Sequence, residues 1–146
     1  MIDAALDALR IARYRFDLEA VDRLFLPPYK GSTFRGGFGY AFKKMVCGQQ
    51  DWLNCTPCTR GNACPYGYLF ETRMEDHTDL FPDLREVPIP FIIEPPLDTQ
   101  TSYRPGERLA FHVVLVGRGI QYLPYFLLAF QELGRVGVGK PRGRYI

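Results

Sequence analysis

The stretch ARYRFDLE, residues 12–19, alternates strictly, with Ala12, Tyr14, Phe16 and Leu18 on one side and Arg13, Arg15, Asp17 and Glu19 on the other. A period of two is the pleat of a β-strand, so the segment reads as a strand with one buried and one solvated face. Before it, Asp3 to Leu9 reads as a short helical lead-in. After it, Pro27-Pro28-Tyr29-Lys30-Gly31 forms a turn-rich link, and the Ser32-Thr33 pair suits a helix N-cap. Phe34, Phe38, Ala41, Phe42 and Met45 then recur at helical spacing, which predicts an amphipathic helix over residues 33–47. Gly36, Gly37 and Gly39 weaken that helix by up to about 1 kcal/mol each relative to alanine. Close approach of another backbone, protein or nucleic acid, would give them a reason.

Further along, residues 47–67 form a cysteine-bearing insert, and Tyr68–Arg73 look extended. Pro82, Pro88, Pro90, Pro95, Pro96 and Pro105 exclude a long helix from the following link, although Ile89–Glu94 suits a strand. Residues 107–116, ERLAFHVVLV, are apolar on both faces, as in a central strand. Leu123, Phe126, Leu127, Phe130 and Leu133 mark a second helix, with Pro124 in its first turn and Gly134 expected just past its end. Arg144-Tyr145-Ile146 then begins a last strand. Strand, helix, one or two strands, strand, helix, strand is the order of the split βαβ motif. The expected class is therefore α+β, a ferredoxin-like (RRM-like) βαββαβ domain with a cysteine-rich insert. Because the chain stops at Ile146, inside that strand, the reading expects an engineered fragment of a longer protein.

At 146 residues, 47% hydrophobic and 14% aromatic, the chain fits one packed domain rather than a disordered segment. No apolar run approaches the roughly 20 residues that span a bilayer. The acidic start, MIDAALDALRIAR, has neither a positive leader nor a continuous apolar segment, so a cytosolic location without a membrane partner is expected.

The net charge of +2 says little, but its distribution says more. Lys30, Arg35, Lys43 and Lys44 fall in an acid-free segment, as do Arg135, Lys140, Arg142 and Arg144, while the stretch between residues 71 and 107 is acidic. Two glycine-rich basic segments suit a polyanion, or are two ordinary solvated faces. Glycines at 134, 137, 139 and 143 would let backbone approach a phosphate that a β-carbon would obstruct.

Cys47, Cys55, Cys58 and Cys64 follow the pattern C-x7-C-x2-C-x5-C. In a reducing compartment such spacing favours metal ligands over disulfides. Four thiolates complete a closed tetrahedral zinc site with no open position for chemistry. An iron–sulfur cluster accepts the same ligands, and free or oxidised thiols are the remaining reading. The Thr-Pro between Cys55 and Cys58 suits a tight turn, and the polar insert has little core of its own, so metal would supply much of its folding energy.

Three segments carry a resemblance. LPPYKGSTFRGGFGYAFKKMVC (26–47) resembles the approach to the first helix of CRISPR pre-crRNA processing endoribonucleases. CTPCTRGNACPYGYLFET (55–72) resembles the cysteine insert of one branch of that family. LGRVGVGKPRGRY (133–145) resembles the glycine-rich loop of the RAMP superfamily, which touches RNA phosphates there.

The resemblance implies two ferredoxin-like domains, of which this is the first, a missing carboxy-terminal domain and CRISPR repeat RNA as partner. It also implies metal-independent RNA cleavage, in which a 2′-hydroxyl attacks the adjacent phosphate to leave a 2′,3′-cyclic phosphate. In relatives a histidine after the first helix often takes the acid–base part. This chain departs from that pattern, having no histidine between residues 34 and 76. His77 is the remaining catalytic candidate, with a solvated loop histidine as its alternative. His112, mid-strand, reads as packing or as contact with the missing domain. Tyr40, Lys43 and Lys44 fall near the right helix. The isolated chain is expected to be inactive. Two alternatives stand beside the endoribonuclease: a non-catalytic RAMP subunit holding guide RNA among CRISPR effector subunits, and a metal-stabilised module with no nucleic-acid role.

Overall fold

The computed structural model describes residues 7–55, 58–72 and 87–146. The alternating stretch forms β1 (Ile11–Glu19), whose Phe16 and Leu18 are buried while Arg13, Arg15 and Asp17 are exposed. It pairs antiparallel with β5 (Arg108–Val116), in a register running from Ile11 opposite Val116 to Glu19 opposite Arg108. The expected strand after Ile89 is β3 (Phe91–Glu94), antiparallel to the other edge of β5. The order is β1-β5-β3, so the strand apolar on both faces is the central one. Between these, β2 (Leu24–Phe25) and β4 (Ser102–Tyr103) make a separate two-stranded ribbon. The fold is mixed α/β with antiparallel sheets.

Two helices carry the core: α1 (Gly31–Val46) and α3 (Leu123–Val136), with the short α2 (Pro65–Phe70) between them in sequence. Phe34, Phe38 and Phe42 of α1 and Phe126 of α3 are fully buried, with Phe130 nearly so. They meet Phe16, Phe91 and Phe111 of the sheet in one aromatic cluster; Phe38 stacks on both Phe126 and Phe130 at 4.7 Å between centroids. Such ring pairs add to the burial of apolar area. A β-carbon on Gly37 would lie 2.8 Å from Leu133 Cδ1, so this glycine lets α1 and α3 close on each other. The close approach expected at the α1 glycines comes, at Gly37, from a side chain of the partner helix.

Three local expectations are corrected. The N-cap of α1 is Lys30, whose carbonyl accepts the Phe34 N–H at 3.0 Å, while Ser32 and Thr33 lie inside the first turn. Tyr68–Phe70 are helical, not extended, because Pro65 opens α2 and Tyr66 stacks on Phe70 one turn later at 4.6 Å. Leu69 thereby reaches the core with no exposed surface. Gly134 lies within α3, packed against Tyr145; the helix ends instead at Gly137, whose φ of 96° only glycine adopts readily. Asp7 and Ala8 are helical, and the earlier part of the expected lead-in, residues 3–6, lies outside the described residues.

The last residues run along the free edge of β1. Glu19 and Ile146 exchange backbone hydrogen bonds of 2.8 and 3.0 Å, and Tyr145 bridges antiparallel to Ala20. The Tyr145 hydroxyl donates to the Phe130 carbonyl at 2.9 Å beneath α3. Among the described residues no helix is long and apolar enough to cross a membrane.

Candidate functional site

Where α3 ends, residues 137–143 fold back as a tight hairpin. Val138 and Gly143 exchange both backbone hydrogen bonds at 2.9 Å, leaving Gly139 to Arg142 as the tip. A β-carbon on Gly139 would collide with the Phe25 carbonyl, and one on Gly143 would lie 2.5 Å from the Arg23 carbonyl. The hairpin is thus pressed onto the strand beside it, and Gly139 also has a positive φ of 79°. Lys140 and Arg142 project from the exposed tip.

Between the hairpin, α1 and α3 lies a groove of about 410 Å³. Gly37, Tyr40, Ala41 and Lys44 line it from α1, Glu132 and Leu133 from α3, and Gly139 and Arg142 from the hairpin. Helical spacing of three and four residues puts the four α1 positions on one stripe. The glycine-rich loop and the basic helix, nearly a hundred residues apart in sequence, therefore share one cleft.

The eight cations expected to meet a polyanion do not all reach it. Lys30 is fully buried; its ammonium donates to the Pro28 and Asp98 carbonyls and to Asp98 Oδ1 at 3.1–3.3 Å. Burial raises the Asp98 carboxyl, but the hydrogen bonds from Lys30, Gln100 and Tyr103 outweigh it and hold the group below its ordinary value. Lys43 is also buried, its ammonium donating to the Leu53 carbonyl at 2.9 Å beneath the Tyr66 ring. Arg35 is exposed and lies over Phe91. Arg144 is paired with Asp22 at 2.8 Å, which holds that carboxyl below its ordinary range. Arg135 grips Glu132 through two hydrogen bonds, which offsets the one acid lining the groove. Lys44 and Arg142 line the cleft, and Lys140 is exposed on the hairpin tip next to Gly139, which lines it too.

The four cysteines sit on the other side of α1. Cys47 caps the helix end, its N–H bonded to the Lys43 carbonyl at 2.9 Å. Cys58 donates its N–H to the Cys55 carbonyl at 3.0 Å, closing the turn expected of this pair; Thr56 and Pro57 themselves lie outside the described residues. Cys64 precedes Pro65 at the start of α2. All four line one cavity of about 20 Å³, with Lys43, Arg60 and Tyr66 around them. That is room for about one small ion or water.

None of the four is joined in a disulfide, and among the described residues no three metal-ligating side chains stand at ion-holding distances. The donor set, four cysteines lining one cavity, is nevertheless that of a tetrahedral thiolate site. Burial pulls the Lys43 ammonium down, but the hydrogen bond to Cys55 and the electrostatic influence of Tyr66, Cys55 and Glu71 outweigh it and hold it above its ordinary value. A cation there would offset part of the charge of four thiolates.

His77 lies outside the described residues. His112 is half-buried on the sheet face turned away from the helices, opposite Arg15 on β1 and Glu94 on β3. Sequence reasoning missed Trp52, whose ring meets Tyr40 edge-on at 5.0 Å and 71°. A lone tryptophan in an otherwise polar insert was the signal available.

The chain belongs to the AF_1859_N family, which is described as an N-terminal domain and matches it over residues 9–146. It is similar to an uncharacterized protein of Archaeoglobus fulgidus, 33% identical over 114 residues, or 77% of this chain. The match spans 37% of that protein's length.

Proposed function

We propose that this chain is the amino-terminal, RNA-binding half of a CRISPR-associated RNA-processing protein of the RAMP type. The observation that carries the reading is the convergence of the glycine-rich hairpin and the basic stripe of α1 on one groove, with Lys44, Lys140 and Arg142 at hand. A ferredoxin-like fold is supported by the strand order β1-β5-β3 and by Tyr145 and Ile146 pairing at the free edge of β1, where the fourth strand of such a domain runs. Both main helices also cover the same sheet face. A longer two-domain protein is supported by the family's description as an N-terminal domain and by the greater length of the Archaeoglobus protein.

In this reading the complete protein acts in the cytosol and cleaves repeat RNA by attack of a 2′-hydroxyl on the neighbouring phosphate. That reaction needs a base, an acid for the leaving oxygen and a cation near the phosphorane. This half supplies cations and a surface that holds the strand. Cys47, Cys55, Cys58 and Cys64 would hold zinc, or an iron–sulfur cluster, as a structural brace outside the reaction.

The test is incubation of the complete protein with repeat RNA in excess EDTA. Cleavage leaving a 2′,3′-cyclic phosphate and a 5′-hydroxyl is the expected result, while the 146-residue chain binds RNA and cuts it poorly. Tight binding without cleavage would make the protein a guide-RNA subunit. Failure to bind RNA at all would end the reading.

A further inference from the structure

We propose that Tyr40 is a stacking platform for an unpaired RNA base in the groove, and that the cysteine-bearing segment holds it there through Trp52. The proposal rests on the reading of the groove as an RNA site and adds the part of the nucleotide that phosphate contacts leave unread.

Tyr40 is 56% exposed, on the same stripe of α1 as Gly37 and Lys44. The other aromatic residues of α1, Phe34, Phe38 and Phe42, are fully buried, so this ring is the one the core does not use. An edge-on contact with Trp52 occupies at most one face of the Tyr40 ring. Lys44, one turn further along, and Arg142 across the cleft set positive charge beside that ring. A flat aromatic surface next to cations is what an unpaired nucleotide requires: base on the ring, phosphate at the charges. A free phosphate would ignore Tyr40, and a duplex keeps its base faces stacked.

Trp52 is tied both to α1 and, through the chain, to the cysteines. It lies between Cys47 and Cys55, and the adjacent Leu53 carbonyl is tied to Lys43, which also borders the cysteine cavity. Tyr40 and Lys44 face the groove while Lys43 and Cys47 face the cysteines, so one stretch of α1 carries both sites. Closing the four thiolates on an ion would fix the 47–55 segment, and with it the ring that steadies Tyr40. The insert thus gains a role in RNA binding without touching phosphate.

Three variants of the chain, Tyr40→Leu, Tyr40→Phe and Cys55→Ser with Cys58→Ser, are titrated with a short labelled single-stranded RNA and with the same strand lacking its bases. Tyr40→Leu should weaken binding of the base-bearing strand by about ten-fold, the size of one base–aromatic stack, and leave the abasic strand unchanged. Tyr40→Phe, which keeps the ring, should bind like the parent. The double cysteine variant should behave as Tyr40→Leu does and red-shift the emission of Trp52, the sequence's one tryptophan.

Equal affinity of Tyr40→Leu and the parent for the base-bearing strand, or an equal loss on both strands, would overturn the stacking role while leaving phosphate binding intact. An unshifted Trp52 emission with full affinity in the cysteine variant would overturn the coupling. A parent chain that binds neither strand would remove the underlying reading and this proposal with it.

Discussion

Phe38→Ala should destabilise the fold by about 3–5 kcal/mol, the range for truncating a buried phenylalanine to alanine. The ring is fully buried and meets five others: Phe42 on its own helix, Phe70 on α2, Phe91 on β3, and Phe126 and Phe130 on α3. Those neighbours belong to four elements, so no single side chain can move to fill the space. A loss of this size is a large share of the roughly 5–15 kcal/mol by which domains are stable. Urea unfolding followed by circular dichroism measures it, as a lower midpoint at an unchanged slope. Ile92→Ala is the control, since Ile92 lies on the open sheet face at 56% exposure and should cost under about 1 kcal/mol. A Phe38→Ala variant within about 1 kcal/mol of the parent would show that the aromatic cluster is not the centre of the core.

Replacing Cys55 and Cys58 with serine should release bound metal and remove order from the segment between Cys47 and Cys64. The segment has little apolar surface of its own: Leu53 is exposed, and its anchor points include the Lys43–Leu53 and Lys43–Cys55 hydrogen bonds and the Trp52–Tyr40 contact. Where four thiolates supply the missing free energy, losing two removes it. The disorder should stop at α2, because Leu69 is fully buried and Phe70 packs on Phe91 at 5.1 Å. Hydrogen exchange measures the boundary: amides of residues 47–64 should exchange freely while β1 and β5 stay protected. Plasma mass spectrometry of the parent protein should find roughly one zinc per chain, or iron in its place. Under about 0.2 metal per chain, or protection lost throughout β5, would contradict this account of the cysteines.

Much of the architecture was legible because its signals are local. The alternation of residues 12–19 gives β1, the two-faced apolar run gives the central β5, and phenylalanines at helical spacing give α1. Tyr68–Phe70 misled for a physical reason: aromatic residues favour strands unless packing decides otherwise, and here Pro65 and the Tyr66–Phe70 stack set a helix. The end of α3 slipped from Gly134 to Gly137 because both are glycines, one needed for close packing against Tyr145 and the other for its backbone angle.

The site was legible by residue type rather than by position. The four cysteines do share one cavity, but charge pattern could not reveal that Lys30 is buried against Asp98, 68 residues away. Nor could it assign Lys43 to the Leu53 carbonyl and leave Lys44, its neighbour, facing the groove.

The central claim is that the hairpin tip and α1 hold RNA by its phosphates, and affinity measured across salt concentrations tests it most directly. Each phosphate neutralised on a single strand contributes about 0.7 to the slope of log affinity against log salt. Lys140→Ala with Arg142→Ala in the complete protein should weaken binding of every RNA sequence alike and lower that slope by roughly one to two. The fold should survive, because the hairpin is held by the Val138–Gly143 backbone pair and its packing on Phe25, not by the two side chains. Unchanged affinity and an unchanged slope would contradict the claim and leave the hairpin with only the task of leading α3 into the chain's final pairing with β1.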